Sequence, residues 1–209
     1  MKRNSAVVAA MLAVGILVAG CSDAPMSKSD PRWITLIDGD TGLDNWNRVG
    51  DANWHAENGA IVADKGKGGF LVSKNVYKDF EIRAEFWVET ATNSGIFIRC
   101  SDPVKIVGPN CYEVNIWDTR PDPTYGTGAI VDVFPVPVPI VYKAGGHWNT
   151  YEIYAKGAQL TIKFNGTVTA SIQNQQHASG YFALQFGAGA NGAPPVGPVK
   201  WRRVEIRPL

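Results

Sequence analysis

Two short segments hold most of the residues able to do chemistry: Asn93-Ser94-Gly95-Ile96-Phe97-Ile98-Arg99 and Cys111-Tyr112-Glu113-Val114-Asn115-Ile116-Trp117-Asp118. Successive side chains of a strand leave opposite faces. Ile96, Ile98, Tyr112, Val114 and Ile116 then belong to a core, and Gly95, Phe97, Arg99, Glu113, Asn115 and Trp117 to the other face. If the chain from Ser101 to Asn110 joins the two as an antiparallel pair, parity permits Arg99 opposite Glu113 and Phe97 opposite Asn115. Such a face suits a sugar: aromatic rings stack on the C–H side of a pyranose, while carboxylate, amide and guanidinium groups bond its hydroxyls. The same residues would equally make an ordinary cross-strand salt bridge flanked by surface aromatics.

Glu113-x-Asn115-x-x-Asp118 also has the offsets of the Glu-x-Asp-x-x-Glu signature of laminarinase and lichenase type glucanases, which hydrolyse with retention through two carboxylates. Asn in the middle removes an ionisable helper, and Asp at the end shortens the reach, so the likeness is one of spacing. A third reading keeps the face and drops the chemistry: a carbohydrate-binding module, with Phe97 and Trp117 as platforms and Arg99 and Glu113 as polar contacts. His55, His147 and His177 have no metal-ligand spacing, and two cysteines alone do not make a zinc site. No cofactor is expected, and a divalent metal stays open.

The elements that must position these residues are strands. Phe80 to Glu89 alternates apolar and charged residues, as a half-buried strand requires. Asn165-Gly166 between Leu160–Phe164 and Val168–Ile172, and Asn58-Gly59 between Trp54 and Ile61, are hairpin turns. Further strands are expected at Gly95–Ser101, Tyr112–Trp117, Gly128–Val133, Asn149–Ala155, Tyr181–Phe186 and Lys200–Ile206. No capped helical stripe is present. About a dozen short strands predict two stacked sheets, since one open sheet would leave long edges and an uncovered apolar face. Phe134-Pro135-Val136-Pro137-Val138-Pro139 cannot lie within a sheet and reads as a stiff rim, a candidate cleft wall.

With 209 residues, 45% of them hydrophobic, 22 Gly and 13 Pro, the chain is globular and turn-rich. Its net charge of +1, without clustered Lys and Arg, gives no reason to expect nucleic acid. Lys2 and Arg3, an apolar run from Ala6 to Ala19, and Val18-Ala19-Gly20 before Cys21 read as a lipoprotein signal peptide over residues 1–20. Cys21 would then carry lipid, residues 21–31 would form a tether, and 32–209 would be one domain held at a membrane outside the cytoplasm. An uncleaved anchor helix is the alternative, disfavoured by the run's length. In that oxidising space Cys100 and Cys111 are disulfide candidates, with two buried thiols as the alternative.

Leu36-Ile37-Asp38-Gly39, Trp54 to Ile61, Asp79 to Ile82, Asn93 to Arg99, Tyr112 to Ile116, Thr127 to Ile130, Trp148 to Glu152, Asn165-Gly166, Leu184-Gln185 and the ending Val204 to Leu209 together resemble the 3-keto-disaccharide hydrolase domain family. The resemblance implies a concanavalin-like jelly-roll sandwich and cleavage of glycosides whose C3 hydroxyl has become a ketone. A C3 carbonyl acidifies the C2 proton, so a modest base can start elimination of the C1 group before water adds. It further implies Glu113 as base, Arg99 and Asn93 as donors to the enolate or hydroxyls, and Asn115, Asp118, Trp148 and Gln185 as substrate contacts. The chain departs from the family where Asn115 replaces the usual Gln, and where Gln185 is followed by Phe186-Gly187-Ala188-Gly189-Ala190-Asn191 with no His. That absence leaves three outcomes open: a weaker catalyst, a shifted specificity, or binding alone.

Overall fold

The structure, a computed structural model, describes residues 32–209; the expected signal peptide, Cys21 and the expected tether fall outside the described residues. The alternating segments form thirteen strands among the described residues: β1 (Ile34–Asp38), β2 (Trp46–Gly50), β3 (His55–Glu57), β4 (Ala60–Ala63), β5 (Gly69–Ser73), β6 (Phe80–Val88), β7 (Ser94–Cys100), β8 (Tyr112–Ile116), β9 (Trp148–Lys156), β10 (Gln159–Phe164), β11 (Thr167–Gln173), β12 (Tyr181–Phe186) and β13 (Val199–Pro208). They build an eight-stranded sheet, β11-β10-β9-β6-β13-β4-β3 with β1 paired to β13, and a five-stranded sheet, β2-β5-β12-β7-β8. The chain is therefore an all-β, two-sheet jelly roll.

Inward faces of both sheets meet in one core. Ile82, Ala84, Phe86, Tyr151, Ile153, Trp201, Val204 and Ile206 come from the larger sheet, and Leu71, Ile96, Ile98, Tyr112, Val114, Ile116 and Leu184 from the smaller. Burial of so many large apolar groups is the main force holding the layers together. Both Asn-Gly turns have left-handed backbone at both residues, with φ 48° and 81° at Asn165-Gly166 and 51° and 78° at Asn58-Gly59. That is the turn whose twist matches a two-residue hairpin.

One expected strand is absent. The segment from Gly128 to Val133 is a compact turn with isolated bridges of Ile130 to Val114 and Phe134. Left-handed backbone at Gly128 and Asp132 breaks its extension, while Val131 N–H still donates to Glu113 O at 3.0 Å, tying the turn to β8. The Pro-rich segment lies outside both sheets and contains a cis Val138–Pro139 bond. Cys100 and Cys111 form a disulfide with Cα atoms 4.3 Å apart.

Candidate active site

The outer face of the five-stranded sheet can be built row by row from strand register. β8 pairs with β7 so that Asn115 faces Gly95 and Glu113 faces Phe97. Phe97 in turn faces Ala183 of β12, Ala183 faces Val72 of β5, and Val72 faces Asn47 of β2. In the next row Val49 faces Phe70 and Phe70 faces Gln185. The Leu184–Ile96 pair places Gln185, one step on, beside Gly95. Beyond that row Gly187 N–H donates to Asn93 O at 2.9 Å. The floor is thus made of Gly95, Gly187 and Ala183, and the walls of Phe70, Phe97, Gln185, Asn93, Asn115 and Glu113.

Glu113 is the group on this face best prepared for chemistry. Its side chain leans over Gly95: a Cβ there would stand 3.6 Å from Glu113 Oε1 and 3.1 Å from Val114 O. Its carboxylate receives no protein hydrogen bond among the described residues. Burial pushes its pKa up to about 7; the nearby Arg120 guanidinium pulls down and Asp132 pushes up. A carboxyl poised there can take and return a proton near neutrality.

Three amides stand around it. Asn93 Nδ2 donates to Ala188 O at 2.7 Å and Asn115 Nδ2 to Tyr125 O at 2.5 Å. Those donors are engaged, and the carbonyl oxygens Asn93 Oδ1, Asn115 Oδ1 and Gln185 Oε1 are buried without a protein partner.

Arg99 does not join them. Parity assumes an uninterrupted strand, but β7 bulges against β12 between the pairs Cys100–Tyr181 and Phe97–Ala183, and Arg99 has φ +54°. The bulge turns Arg99 away from Glu113 and brings Cys100 to the outer face. Fully buried, the guanidinium donates to Lys78 O (2.8 and 3.0 Å), Gly157 O (2.8 Å), His177 O (3.1 Å) and Asp79 Oδ1 (3.4 Å). Gly180 makes the approach possible, since a Cβ there would lie 2.4 Å from Arg99 C. Arg99 joins loops at one end of the sandwich, and neither the expected salt bridge nor a donor role at the sugar face has its geometry.

Asp118 is turned away as well. Its carboxylate accepts from Thr127 Oγ1 (2.7 Å), Ala144 N–H (2.9 and 3.0 Å) and Gly145 N–H (2.9 Å), so it shapes a loop and is not free to pair with Glu113 in retaining hydrolysis. Trp148 lies on the other sheet, where it faces Trp87 and its ring is capped by Arg202 at 4.4 Å; it cannot reach the Glu113 face. Phe97 is only 2% exposed and Trp117 9%, so neither is an open platform. Phe97 packs edge-on against Phe70 at 5.4 Å, and Trp117 carries Arg120 above its ring at 5.7 Å. Asn115, expected as a contact, is fully buried, with its Oδ1 unpartnered but closed off from solvent.

Phe70, Arg120 and Asp132 were not foreseen. Gly69-Phe70-Leu71-Val72 after a Gly-rich turn carries a strand signal that could have found Phe70. Arg120 and Asp132 sit in loops without periodicity, and only the turn that returns Val131 to Glu113 brings them close.

The outer face of the eight-stranded sheet holds a depression of about 750 Å³ lined by Asp38, Arg83, Glu85, Glu152, Arg202 and Glu205 among others. Its charges largely satisfy one another: Arg202–Glu85 at 2.5 Å, Arg203–Asp38 at 2.9 Å, Arg203–Glu205 at 2.7 Å, and Arg207 with Glu81. The candidate site on the five-stranded face rests instead on Glu113, a carboxyl without a protein hydrogen bond among the described residues, beside three amide oxygens buried without a partner. Among the described residues no group of three or more His, Cys, Asp and Glu is placed to hold a metal; the donors near Glu113 are oxygens only.

Comparison with known proteins bears on the family and the fold. The model of the 3-keto-alpha-glucoside-1,2-lyase-like domain matches residues 32–207. A 3-keto-disaccharide hydrolase of Bacteroides thetaiotaomicron is 28% identical over 180 residues, 71% of this chain, and the chain spans 58% of that relative's length. A Parabacteroides distasonis protein described as a candidate glycosyl hydrolase superimposes with TM-score 0.66 at 23% identity, covering 85% of this chain and 99% of its own. The carbohydrate-binding module CBM66 of Bacillus subtilis gives TM-score 0.52 at 12% identity, covering 84% and 93%; both structures share the fold.

Proposed function

The chain belongs to the 3-keto-alpha-glucoside-1,2-lyase-like domain family, and from that premise we propose that it cleaves glycosides bearing a C3 ketone, with Glu113 as the base that removes the C2 proton. The observation that carries this reading is Glu113 itself, a half-buried carboxyl with pKa raised to about 7 above a glycine floor. The relative's printed activity, 3-keto-disaccharide hydrolysis, supports the substrate class.

In the proposed sequence Glu113 takes the C2 proton as the C2–H electrons form the enolate of the C3 ketone, then the enolate electrons form the C1–C2 double bond as the C1–O bond breaks, and the departing aglycone oxygen takes the proton back from Glu113. Water then adds across the C1–C2 double bond. Arg120, held above Trp117 and close enough to lower the Glu113 pKa, takes the place first given to Arg99 as the cation beside the developing enolate. Phe70 supplies an apolar edge for the ring. Turnover of a 3-keto-glucoside by the Glu113→Gln variant is the test: a loss of at least about a hundredfold is expected of a general base, and undiminished turnover removes Glu113 from the mechanism.

A binding role without turnover is the second reading, favoured by the missing His after Gln185 and by the fold shared with a carbohydrate-binding module. Product analysis separates the two: free 3-keto-glucose supports catalysis, binding without product supports the module, and hydrolysis of unoxidised β-glucan returns the glucanase reading. We also infer that Cys21 anchors the domain to a membrane outside the cytoplasm; a Cys21→Ser variant that still fractionates with membranes and still incorporates labelled fatty acid overturns this.

A further inference from the structure

Three large apolar side chains that stay exposed converge on one end of the sandwich. Ile34 (45% exposed) opens β1, Val76 (53%) lies in the connection between β5 and β6, and Leu209 (51%) follows β13. With Tyr77, Asp79 and Pro208 they border a depression of about 540 Å³. Apolar residues scattered singly over a surface are ordinary, whereas several from distant segments in one place mark a contact surface. The base of this one is firm: Tyr77 packs edge-on against Phe80 with ring centroids 6.2 Å apart, and its N–H and C=O are both bonded to Gly180. Lys74 and Lys78, both exposed, flank Val76. Lys74 Nζ donates to Asp44 O, while the Lys78 ammonium has no protein partner among the described residues. The Asp79 carboxylate is engaged by Arg99 and Gly157 N–H.

We propose that this end of the sandwich rests on a lipid surface, with Ile34 and Val76 against the acyl boundary and Lys78 among anionic headgroups. The proposal rests on the inferred lipid anchor at Cys21 and adds which end of the domain that anchor holds down. Arg32 stands eleven positions after Cys21. A fully extended chain covers at most about 3.6 Å per residue, so Arg32, two positions before Ile34, stays within about 40 Å of the anchor. β13 runs the length of the sandwich, ten residues from Val199 to Pro208, which is roughly 33 Å at the rise of a strand. Laying the opposite end on lipid would use up nearly all of that reach, and the Ile34 end needs almost none of it. β7 runs toward the patch, since its Arg99 donates to Lys78 O. The Asn93–Gly187 contact beside Gly95 therefore lies toward the other end, and substrate would reach the Glu113 face from the aqueous side.

The test uses the full chain, made in a bacterium that lipidates its own lipoproteins and reconstituted in vesicles of phosphatidylethanolamine and phosphatidylglycerol. A spin label is attached at Val76→Cys or, in a separate protein, at Val196→Cys, next to Gly197 where the chain meets Glu89 and Thr92 at the opposite end. Both positions are exposed, so neither substitution disturbs the core, and Cys100 and Cys111 are held in their disulfide. Collision rates are compared for O₂, which concentrates in the bilayer, and for a water-soluble nickel chelate. The ratio of O₂ to chelate rate at Val76→Cys should be several-fold that at Val196→Cys, and adding Lys78→Glu should lower it. Equal ratios in protein that carries labelled fatty acid overturn the proposal and leave the anchor standing. A higher ratio at Val196→Cys overturns the orientation. Spin–spin broadening at Val76→Cys that survives dilution into excess lipid means that a second copy covers the patch, which also overturns it. If no fatty acid is incorporated, the anchor reading and the proposal that rests on it fall together.

Discussion

Phe97 stands directly across the β7–β8 ladder from Glu113, where parity alone had permitted Arg99. The carboxyl therefore looks onto an aromatic edge and a glycine floor and is not held in a strong ion pair. That surrounding, more than the identity of Glu113, raises its pKa: burial is the largest cause and Arg120 opposes it only in part.

The first prediction concerns pH. Glu113 must be ionised to act as base, so kcat/KM for a 3-keto-glucoside should rise through about pH 7. The Glu113→Gln protein should show neither that rise nor appreciable turnover. A profile flat between pH 5 and 8 in the wild-type chain contradicts the assignment.

Stability should move the opposite way. The folded-state pKa of Glu113 lies above its ordinary 4.5, so the neutral carboxyl favours the folded state at low pH and that advantage is lost as pH rises from about 4.5 through 7. The full effect is on the order of 3 kcal/mol. Denaturant unfolding should find Glu113→Gln close to wild type near pH 4 and more stable than wild type near pH 8; equal stability at both pH values would refute it.

Arg99 should matter for folding. Removing its guanidinium leaves the carbonyls of Lys78, Gly157 and His177 unpaired at a buried junction. Arg99→Ala should cost about 3–5 kcal/mol. Arg99→Lys should restore part of the stability, and whatever fraction folds should keep the wild-type KM. A selective KM defect with unchanged Tm would instead return Arg99 to the sugar site.

Asp118 gives a comparable contrast. With Thr127, Ala144 and Gly145 all donating to it, Asp118→Ala should lower stability by about 2–3 kcal/mol. Cleavage chemistry should survive in the folded fraction. Formation of a covalent glycosyl-enzyme trapped by a mechanism-based inhibitor at Asp118 would show the glucanase pairing to be real.

Cross-linking should also be measurable. Reduction of Cys100–Cys111, whose positions are 11 apart in sequence, should cost about 2–3 kcal/mol by the loop-entropy argument. Because the disulfide packs with Phe97 and Ile106, reduction should also weaken substrate binding, read as a higher KM in the presence of dithiothreitol.

Much of this protein was legible in its residue order. Alternation in β6, β7, β8 and β12 named the core face, since a two-residue period is a property of each strand alone. The Asn-Gly hairpins followed from local backbone preference, and the placement of Phe97, Glu113 and Asn115 on a common outer face followed from the same parity. What failed were the points where alternation is interrupted or a second layer intervenes. Trp148 alternates correctly but does so on the other sheet, and the Gly128–Val133 segment has strand-like composition with a backbone that turns at both ends.

Arg99 shows the division most clearly. Its local pattern is that of an outward residue, and only the approach of Gly180, together with carbonyls from residues 78, 157 and 177, makes an inward, left-handed Arg99 the lower-energy state. Partners that far apart along the chain are brought together by tertiary packing, and periodicity carries no information about them. The sequence by itself determined the sandwich, the family and the residue now proposed as the base. Tertiary structure decided which charges remain unpaired, because pairing depends on distances between segments, and those unpaired groups make the site.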